Sequence, residues 1–272
     1  MTSLEAAYRN PNYSDPDGRP GAAASWLRFS EGAEAAPLRL VCFAHAGAGA
    51  SSFNGWPRLL PPDIGLVKVQ LPGREDNLEA PPFTTMAALL PPLLQQVAPL
   101  LNRPFALYGH SMGALVAFEL FRALRARGLR LPLALFVSGR RAPHKPLRRA
   151  LLHRLSHDAF VEHLRKMGGT SVALLEKPKW LERYLPIMRA DLELSDIYTY
   201  REEPPLACPL HAFLGETDDE MDREDWEAWS EQAAGEFSRA LVPGGHILSG
   251  AGQALLVSKI VAILEKIQGP TK

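Results

Sequence analysis

A serine between two glycines, at positions 109 to 113, constrains this chain most strongly, because it lies where an apolar strand pattern meets an apolar helix pattern. Residues 105–108 predict a short buried strand and residues 114–121 a helix that is apolar nearly all round. A serine on so tight a strand-to-helix turn has a strained backbone, so its neighbours two residues away must be small, as Gly109 and Gly113 are. The alternative is a chance glycine pair around a surface serine. The context favours a nucleophile elbow in which Ser111 attacks beside a helix N-terminus.

Two downstream segments supply the base and the carboxylate that a serine nucleophile requires. In residues 241–246 an apolar strand end leads through a Gly-rich loop to His246, which we choose as the base. Residues 209–215 predict a strand that closes on glycine, and Asp218 in the acidic turn after it is the preferred orienting carboxylate. Asp219 is the alternative, because a one-residue shift would exchange the two. The order serine, aspartate, histidine is that of the α/β-hydrolases and differs from the orders of chymotrypsin and subtilisin.

The same mechanism needs an oxyanion hole, which is a pair of backbone N–H groups aimed at the oxygen that becomes negative. The N–H of Met112, directly after the nucleophile, is the first expected donor. Ala46 is the second, because it lies in a loop of small residues after the strand predicted at 38–43. A nucleotide-binding turn at Gly47 and Gly49 is the competing interpretation, but the third glycine of that fingerprint and the Gly-Lys-Ser/Thr of a P-loop are both absent.

Five segments together resemble the free-standing type II thioesterases of polyketide and nonribosomal peptide pathways: 45–53 (HAGAGASSF), 71–75 (LPGRE), 109–113 (GHSMG), 167–170 (MGGT) and 243–246 (PGGH). The resemblance runs from about residue 38 to the end of the chain, and the Pro-Gly-Arg-Glu segment is among its most specific elements. It implies hydrolysis of acyl groups from the phosphopantetheine arm of an acyl or peptidyl carrier protein, with no cofactor of the enzyme's own. The chain departs from the family pattern at Ala48, where a second adjacent glycine is more common, and at Glu220, where proline often follows the acidic turn.

Length and composition indicate one enzyme domain of ordinary character. With 272 residues, 46% of them apolar, the chain can bury a large core, and its formal net charge of zero favours neither nucleic acid nor a membrane surface as partner. Cys42 and Cys208 lie in or beside predicted strands, so we expect inert core residues rather than a disulfide or a metal site. No apolar run resembles a signal sequence or a membrane span, which predicts a cytoplasmic protein, and we expect a monomer.

The alternation of predicted strands and helices indicates a mostly parallel twisted sheet flanked by helices, with its catalytic loops at the carboxyl ends of the strands. With the order of serine, aspartate and histidine and the resemblance above, the expected fold is that of an α/β-hydrolase with a helical lid insertion. We treat residues 1–272 as a single domain, with 1–23 as a poorly ordered leader and 145–201 as a helical lid insertion after the sixth strand. Strands are predicted at 26–29, 38–43, 66–71, 105–108, 133–137, 209–214 and 237–242, and helices include 86–101 and 253–267.

The insertion carries two further predictions. Apolar residues recur at helical spacing in 151–164 and 180–188, which predicts amphipathic helices that line a substrate channel over Ser111, or that merely cover the core. At its start lies a basic cluster that we interpret as a docking surface for an acidic carrier protein or its phosphate, or as a solvated face. The cluster comprises Arg140, Arg141, Lys145, Arg148 and Arg149.

Three other functions remain open at this point. The same triad serves carboxylesterases, and it serves acyltransferases or cyclases when a tethered alcohol or amine outcompetes water. The third alternative is a carrier-binding module whose triad is vestigial. The sequence does not distinguish the acyl chain or the pathway.

Overall fold

A computed structural model of the chain describes residues 25–167 and 176–269. Seven strands form one sheet in the order β1-β3-β2-β4-β5-β6-β7, with β1 antiparallel to β3 and every other pair parallel. The predicted α/β fold with a mostly parallel sheet is confirmed. The expected leader at 1–23 lies outside the described residues. The strands are β1 Leu27–Phe29, β2 Leu38–Phe43, β3 Ile64–Val69, β4 Phe105–His110, β5 Leu135–Ser138, β6 Leu210–Gly215 and β7 Phe237–Val242.

The helices pack on both faces of this sheet. They are α1 Met86–Val97, α2 Met112–Ala126, α3 His157–Met167, α4 Pro178–Asp196, α5 Arg223–Glu227 and α6 Gly250–Gln268. The hydroxyl of Thr85 accepts a hydrogen bond from the N–H of Ala88 and so caps α1. The α-helix ends at Val97, and the remaining residues of the predicted helix 86–101 form a 3-10 turn that extends to Asn102.

Alternation along the strands divides the core between the two faces, because successive side chains of a strand point to opposite sides. In β2, Val41 and Phe43 pack with α1 and α2 in the larger apolar cluster. Leu40 and Cys42 pack on the other face with α6. Helix α2 is buried at nearly every position, in agreement with its apolar sequence. Both cysteines are buried and unpaired.

The predicted insertion lies between β5 and β6, so it follows the fifth strand of the described sheet and not the sixth. It contains the 3-10 turn Leu152–Arg154 and helices α3 and α4, while residues 168–175 between them lie outside the description. Phe160 and Leu164 of α3 and Met188 of α4 are buried in the same cluster as α2. The insertion therefore covers part of the core. Among the described residues, every helix falls short of the length and apolar character that a bilayer crossing requires.

Candidate active site

Ser111 occupies the single position between β4 and α2. Its backbone has φ 53° and ψ −115°, in the region that side chains rarely adopt. A Cβ added to Gly109 would lie 2.1 Å from the carbonyl oxygen of Gly113, and one added to Gly113 would lie 2.2 Å from that of Phe43. The backbones of the two glycines therefore lie in direct contact with neighbouring carbonyl groups. This tight turn places the Ser111 hydroxyl at the carboxyl end of the sheet.

Three loops at this end bring together Ser111, His246 and Asp218. The imidazole Nε2 of His246 is 3.1 Å from Ser111 Oγ, and its Nδ1 is 3.0 Å from Asp218 Oδ2 and 3.2 Å from Oδ1. The Asp218 side chain is fully buried, whereas Asp219 is exposed and makes no such contact. An ionised carboxylate accepts hydrogen bonds only, so it holds the proton on Nδ1 and leaves Nε2 free to accept the serine proton.

The loops that carry the acid and the base are joined through their backbones. The N–H of Glu216 donates to the carbonyl of Val242 at 2.9 Å, and the N–H of Thr217 donates to that of Gly244 at 3.0 Å. A Cβ on Gly215, the last residue of β6, would lie 2.3 Å from the carbonyl oxygen of Gly245. This close approach fixes the separation of Asp218 from His246.

The expected oxyanion donors lie beside Ser111. Ala46 and Met112 line a cavity of about 50 Å³ together with Ser111 and His246. No described residue accepts a hydrogen bond from the N–H of either donor, whereas the next N–H along the first loop, that of Gly47, donates to Asp191 Oδ2 at 2.7 Å. Two unpaired N–H groups beside a serine hydroxyl are the arrangement that stabilises a tetrahedral oxyanion.

Two further imidazoles, those of His45 and His110, lie near the imidazole of His246 and are neutral at neutral pH. His45 and His110 lie edge to face with centroids 5.6 Å apart, and the His110 and His246 rings are 5.4 Å apart. Burial, with smaller contributions from the charges of His246 and Arg74, lowers the pKa of His45 to about 4. Burial likewise holds the pKa of His110 well below its ordinary value. Its Nδ1 is 2.7 Å from Ser138 Oγ.

The sequence between residues 38 and 267 matches the model of the thioesterase domain family. The chain belongs to this family. This thioesterase is 38% identical to the gramicidin S biosynthesis protein GrsT of Aneurinibacillus migulanus. The alignment spans 221 residues and covers 81% of this chain and 86% of that protein. It is 32% identical to the thioesterase PikA5 of Streptomyces venezuelae. This alignment spans 256 residues and covers 90% of this chain and 91% of that protein.

Solved structures agree with the sequence relatives. The RedJ thioesterase from the prodiginine biosynthetic pathway of Streptomyces coelicolor has a TM-score of 0.81 and 39% identity, over 90% of this chain and 96% of that one. BorB, a type II thioesterase from the borrelidin biosynthetic cluster, has a TM-score of 0.74 and 31% identity, over 91% and 97%. The resemblance to type II thioesterases and the α/β-hydrolase fold are thereby confirmed, and the protein is an enzyme.

A buried ion pair ties helix α4 of the thioesterase to the loop that carries Ala46. Arg74 and Asp191 form two parallel hydrogen bonds of 2.5 and 2.7 Å, and both side chains are almost fully buried. Asp191 also accepts the N–H of Gly47. Sequence reasoning missed this contact, although a signal exists, since Asp191 follows the buried Met188 at helical spacing and so lies on the inward face of α4.

Helix α4 lines two cavities of the thioesterase, as the channel interpretation of the insertion requires. Its Leu192 and Ser195 border the 50 Å³ cavity at Ser111. A second cavity of about 630 Å³ shares His45 and Ile247 with the first. Its walls combine charged and polar side chains, among them Arg74, Glu75 and Arg183, with aromatic and aliphatic ones. The apolar residues include Phe53, Trp56, Trp180, Tyr184, Ile187 and Leu248.

The basic cluster of the thioesterase does not form one exposed surface. Arg140 is only 5% exposed and lines the small cavity with Arg141 and Arg149, so its assignment to a docking surface is wrong. The reason is that the chain turns inward after β5 and directs the guanidinium against α4. Lys145 and Arg148 lie further out and pair with acidic side chains at 3.1 and 3.3 Å. For these two, and for the partly exposed Arg141 and Arg149, carrier docking stays a prediction.

Proposed function

We propose that this thioesterase hydrolyses acyl groups from the phosphopantetheine arm of acyl or peptidyl carrier proteins in a polyketide or nonribosomal peptide pathway. The removal of stalled or wrongly primed units is the biological role that fits a free-standing enzyme of this kind. The observation that carries the proposal is the contact of Ser111 with His246, backed by Asp218, in a chain of the thioesterase family. Relatives from gramicidin S and borrelidin biosynthesis support the choice of pathway class.

The chemistry proceeds in two halves. Ser111 Oγ attacks the thioester carbonyl while His246 Nε2 takes its proton, and the N–H groups of Ala46 and Met112 receive the negative oxygen. His246 then returns the proton to the leaving thiol, and the acyl group remains on Ser111 as an ester. In the second half His246 takes a proton from water, the resulting hydroxide attacks the ester, and the proton returns to Ser111 Oγ as the acid leaves. Asp218 maintains the tautomer and stabilises the imidazolium throughout. The phosphopantetheine belongs to the partner, so the scheme requires no cofactor of the enzyme.

The larger cavity provides the route for the arm and for an apolar acyl chain. Its volume of about 630 Å³ falls in the range of small-molecule sites, and its aromatic and aliphatic side chains offer apolar surface to an acyl chain. Trp180 and Tyr184 of α4 stack with ring centroids 4.1 Å apart and form a flat wall on its lid side. The cavity shares His45 and Ile247 with the small cavity at Ser111, so the two adjoin, and we propose that the thioester end of the chain passes from one to the other.

The test is intact-protein mass spectrometry of a panel of acylated carrier proteins incubated with the enzyme. We expect the wild type to convert acyl-carrier to free holo-carrier. Ser111→Ala should lower the rate by about 10⁴-fold or more while its binding to the carrier persists, because only one oxygen is removed. Retention of more than a tenth of the activity would exclude Ser111 as nucleophile. Faster cleavage of short free esters than of carrier thioesters would indicate a carboxylesterase, and transfer to an added alcohol or amine would indicate an acyltransferase.

A further inference from the structure

The imidazole of His110 is buried beside the triad and takes no part in the proton transfers. It directly precedes Ser111 and is 6% exposed, and its ring lies 5.4 Å from that of His246, with an angle of 45° between the two planes. It also meets the ring of His45 edge to face at 5.6 Å. His110 therefore contacts the side chain of the base and that of the residue before the expected donor Ala46.

The end of strand β5 fixes the orientation of the His110 ring. Nδ1 of His110 is 2.7 Å from Oγ of Ser138, and the same oxygen is 2.7 Å from the hydroxyl of Tyr108. The carbonyl of Ser138 accepts a hydrogen bond from the N–H of Ser111 at 2.8 Å. One residue of β5 thus holds both the backbone of Ser111 and the His110 imidazole, so the ring cannot turn without the loss of a hydrogen bond.

Gly139, the residue after Ser138, brings its backbone against both imidazoles. A Cβ added to it would lie 2.7 Å from Cε1 of His110 and 3.4 Å from Cε1 of His246. Its φ is 56°, a conformation that favours glycine. The two rings therefore pack on one backbone position that has no room for a side chain.

The two hydrogen bonds of His246 do not by themselves fix the plane of its ring. Asp218 contacts Nδ1 and Ser111 contacts Nε2, and a ring held at these two atoms can still tilt about the line that joins them. The backbone of His246 lies in a loop between β7 and α6. A contact on the ring itself removes the freedom to tilt, and His110 provides such a contact from a position anchored in the sheet.

We propose that His110 is a positioning residue, which holds the plane of the His246 imidazole so that Nε2 stays directed at Ser111. The inference rests on the proposed function, in which His246 is the base. His110 is not the base itself, because its Nδ1 is engaged with Ser138 and its buried Nε2 makes no hydrogen bond within the described part of the chain. Proton transfer depends steeply on this geometry, since a misplacement of about 1 Å can cost about 10²-fold in rate.

A second buried histidine provides a matched comparison. His211 on β6 is 1% exposed, its Nδ1 is 2.6 Å from Oγ of Ser238, and its Nε2 likewise lacks a partner among residues 25–167 and 176–269. The two histidines differ in what the ring contacts, because His211 stacks on Phe136 at 5.2 Å rather than on His246. A loss of activity specific to His110 therefore reports the contact with His246 and not the burial of an imidazole.

The test replaces each histidine by asparagine, whose amide occupies the position of Nδ1 and can keep the bond to serine while the far side of the ring is lost. On an acyl-N-acetylcysteamine thioester we expect His110→Asn to lower kcat at least about tenfold with KM within about threefold, because only the orientation of the base changes. His211→Asn should leave kcat within about twofold of the wild type, because its ring has no contact with the base.

Ser138→Ala is the second variant, since it leaves the ring of His110 in place and removes the hydrogen bond that orients it. We expect a loss in kcat of the same kind but smaller than for His110→Asn, and Ser238→Ala is the control. The proton NMR signal of the Nδ1–H of His246, which lies at low field while Asp218 accepts this hydrogen bond, reports on the base itself. It should shift or broaden in His110→Asn and in Ser138→Ala, and should be unchanged in the two controls.

Three results would overturn the inference. If His110→Asn and His211→Asn lower kcat equally, or neither lowers it, the His110 imidazole only fills the core. If His110→Asn raises KM at unchanged kcat, the residue acts on the substrate, since it also borders the larger cavity. If kcat falls while the low-field signal of His246 is unchanged, the effect does not pass through the base.

Phosphonylation of Ser111 by a fluorophosphonate separates this inference from the proposed function, because the reaction needs the nucleophile and the base but no thioester. His110→Asn should react at least about tenfold more slowly than His211→Asn. Equal rates would overturn the positioning role even in an enzyme that hydrolyses carrier thioesters. Failure of the wild type to release acyl groups from carrier proteins would overturn the proposed function, while this difference in rate could still be observed.

Discussion

At the scale of single residues, backbone strain is found at Ser111, the proposed nucleophile, and at Glu75. Among the described residues, Ser111 and Glu75 are the two non-glycine residues with positive φ, at 53° and 51°. The Glu75 carboxylate accepts the hydroxyl of Ser51 at 2.5 Å, in the 3-10 turn that follows the oxyanion loop. Such conformations cost about 1–3 kcal/mol each and persist only where the surroundings enforce them. Here the enforcing contacts are the glycine backbones on either side of Ser111.

Substitution of the glycine before the nucleophile tests this enforcement. Gly109→Ala places a methyl group 2.1 Å from the carbonyl oxygen of Gly113, so we expect a loss of about 3 kcal/mol in the free energy of unfolding, or failure to fold. Gly235→Ala is the matched control, because no atom lies within 4 Å of its added methyl group and its φ is not positive. Urea denaturation measures both. Equal stability of the two variants would contradict the packing argument.

Asp218 and Asp219, the two adjacent carboxylates of the acidic turn, should differ in their effect on turnover. Asp218→Asn should lower kcat by about 10⁴-fold, because the amide presents a donor to the imidazole and stabilises the wrong tautomer. Asp219→Asn should leave kcat within a few fold, since the Asp219 side chain is exposed and does not contact His246. Steady-state hydrolysis of an acyl-N-acetylcysteamine thioester provides the measurement. The opposite ranking would assign the orienting role to Asp219.

At the scale of elements, the contact of Asp191 with Arg74 and Gly47 connects the helical insertion to the loop that carries Ala46, the proposed oxyanion donor. Helix α4 supplies the carboxylate, and the loop after β2 supplies the N–H of Gly47, directly after the expected donor Ala46. The position of the lid helix and the orientation of the oxyanion loop are therefore coupled through one side chain. A displaced α4 would release the loop that must receive the negative oxygen.

Breaking this ion pair should affect both stability and turnover. Asp191→Asn leaves Arg74 buried and uncompensated, which we expect to cost about 3–5 kcal/mol in the free energy of unfolding. The loop at Gly47 then loses a charged acceptor, so kcat should fall more than KM rises. Asp76→Asn is the control, because the Arg28–Asp76 pair lies on the surface and such pairs contribute at most about 1 kcal/mol. If both variants lose the same stability, the buried pair has no special role.

At the scale of the whole molecule, the site's histidines link stability to pH. The pKa of His45 is about 4 in the folded chain, against an ordinary value of 6.5. Between these values the unfolded chain binds more protons, so the stability that neutral His45 contributes is complete above pH 6.5 and is lost as the pH falls towards 4. The displaced pKa of His110 acts in the same direction.

Removal of the His45 imidazole should weaken the dependence of the free energy of unfolding on pH. For the wild type we expect His45 to account for about 1–2 kcal/mol of the stability lost between pH 7.5 and pH 5. His45→Gln should lose correspondingly less over that interval in urea denaturation. His157→Gln, which replaces an exposed histidine at the start of α3, serves as control and should retain the wild-type slope. Parallel pH profiles for all three proteins would contradict the assignment.

Local patterns in the sequence were sufficient to predict the sheet, the tight turn at Ser111 and the three segments that meet there. Strands and helices follow from apolar periodicity, and the glycine pair around Ser111 is a local requirement of one turn. Parallel strands place their carboxyl ends at one edge, so Asp218 and His246 are expected near Ser111 without knowledge of any distance. The third strand, predicted at 66–71, is Ile64–Val69, because the apolar run continues into the buried loop at Leu71.

Only the tertiary structure decided which charges are buried and what they contact. The distinction between Asp218 and Asp219 depends on one residue of register in a loop, which the close approach of Gly215 to the histidine loop determines. Arg140 and Asp191 have the charges of surface residues, and their burial results from packing between segments about fifty or more positions apart in the chain. Periodicity describes the environment along one element, whereas a buried ion pair or a buried arginine depends on where two elements meet.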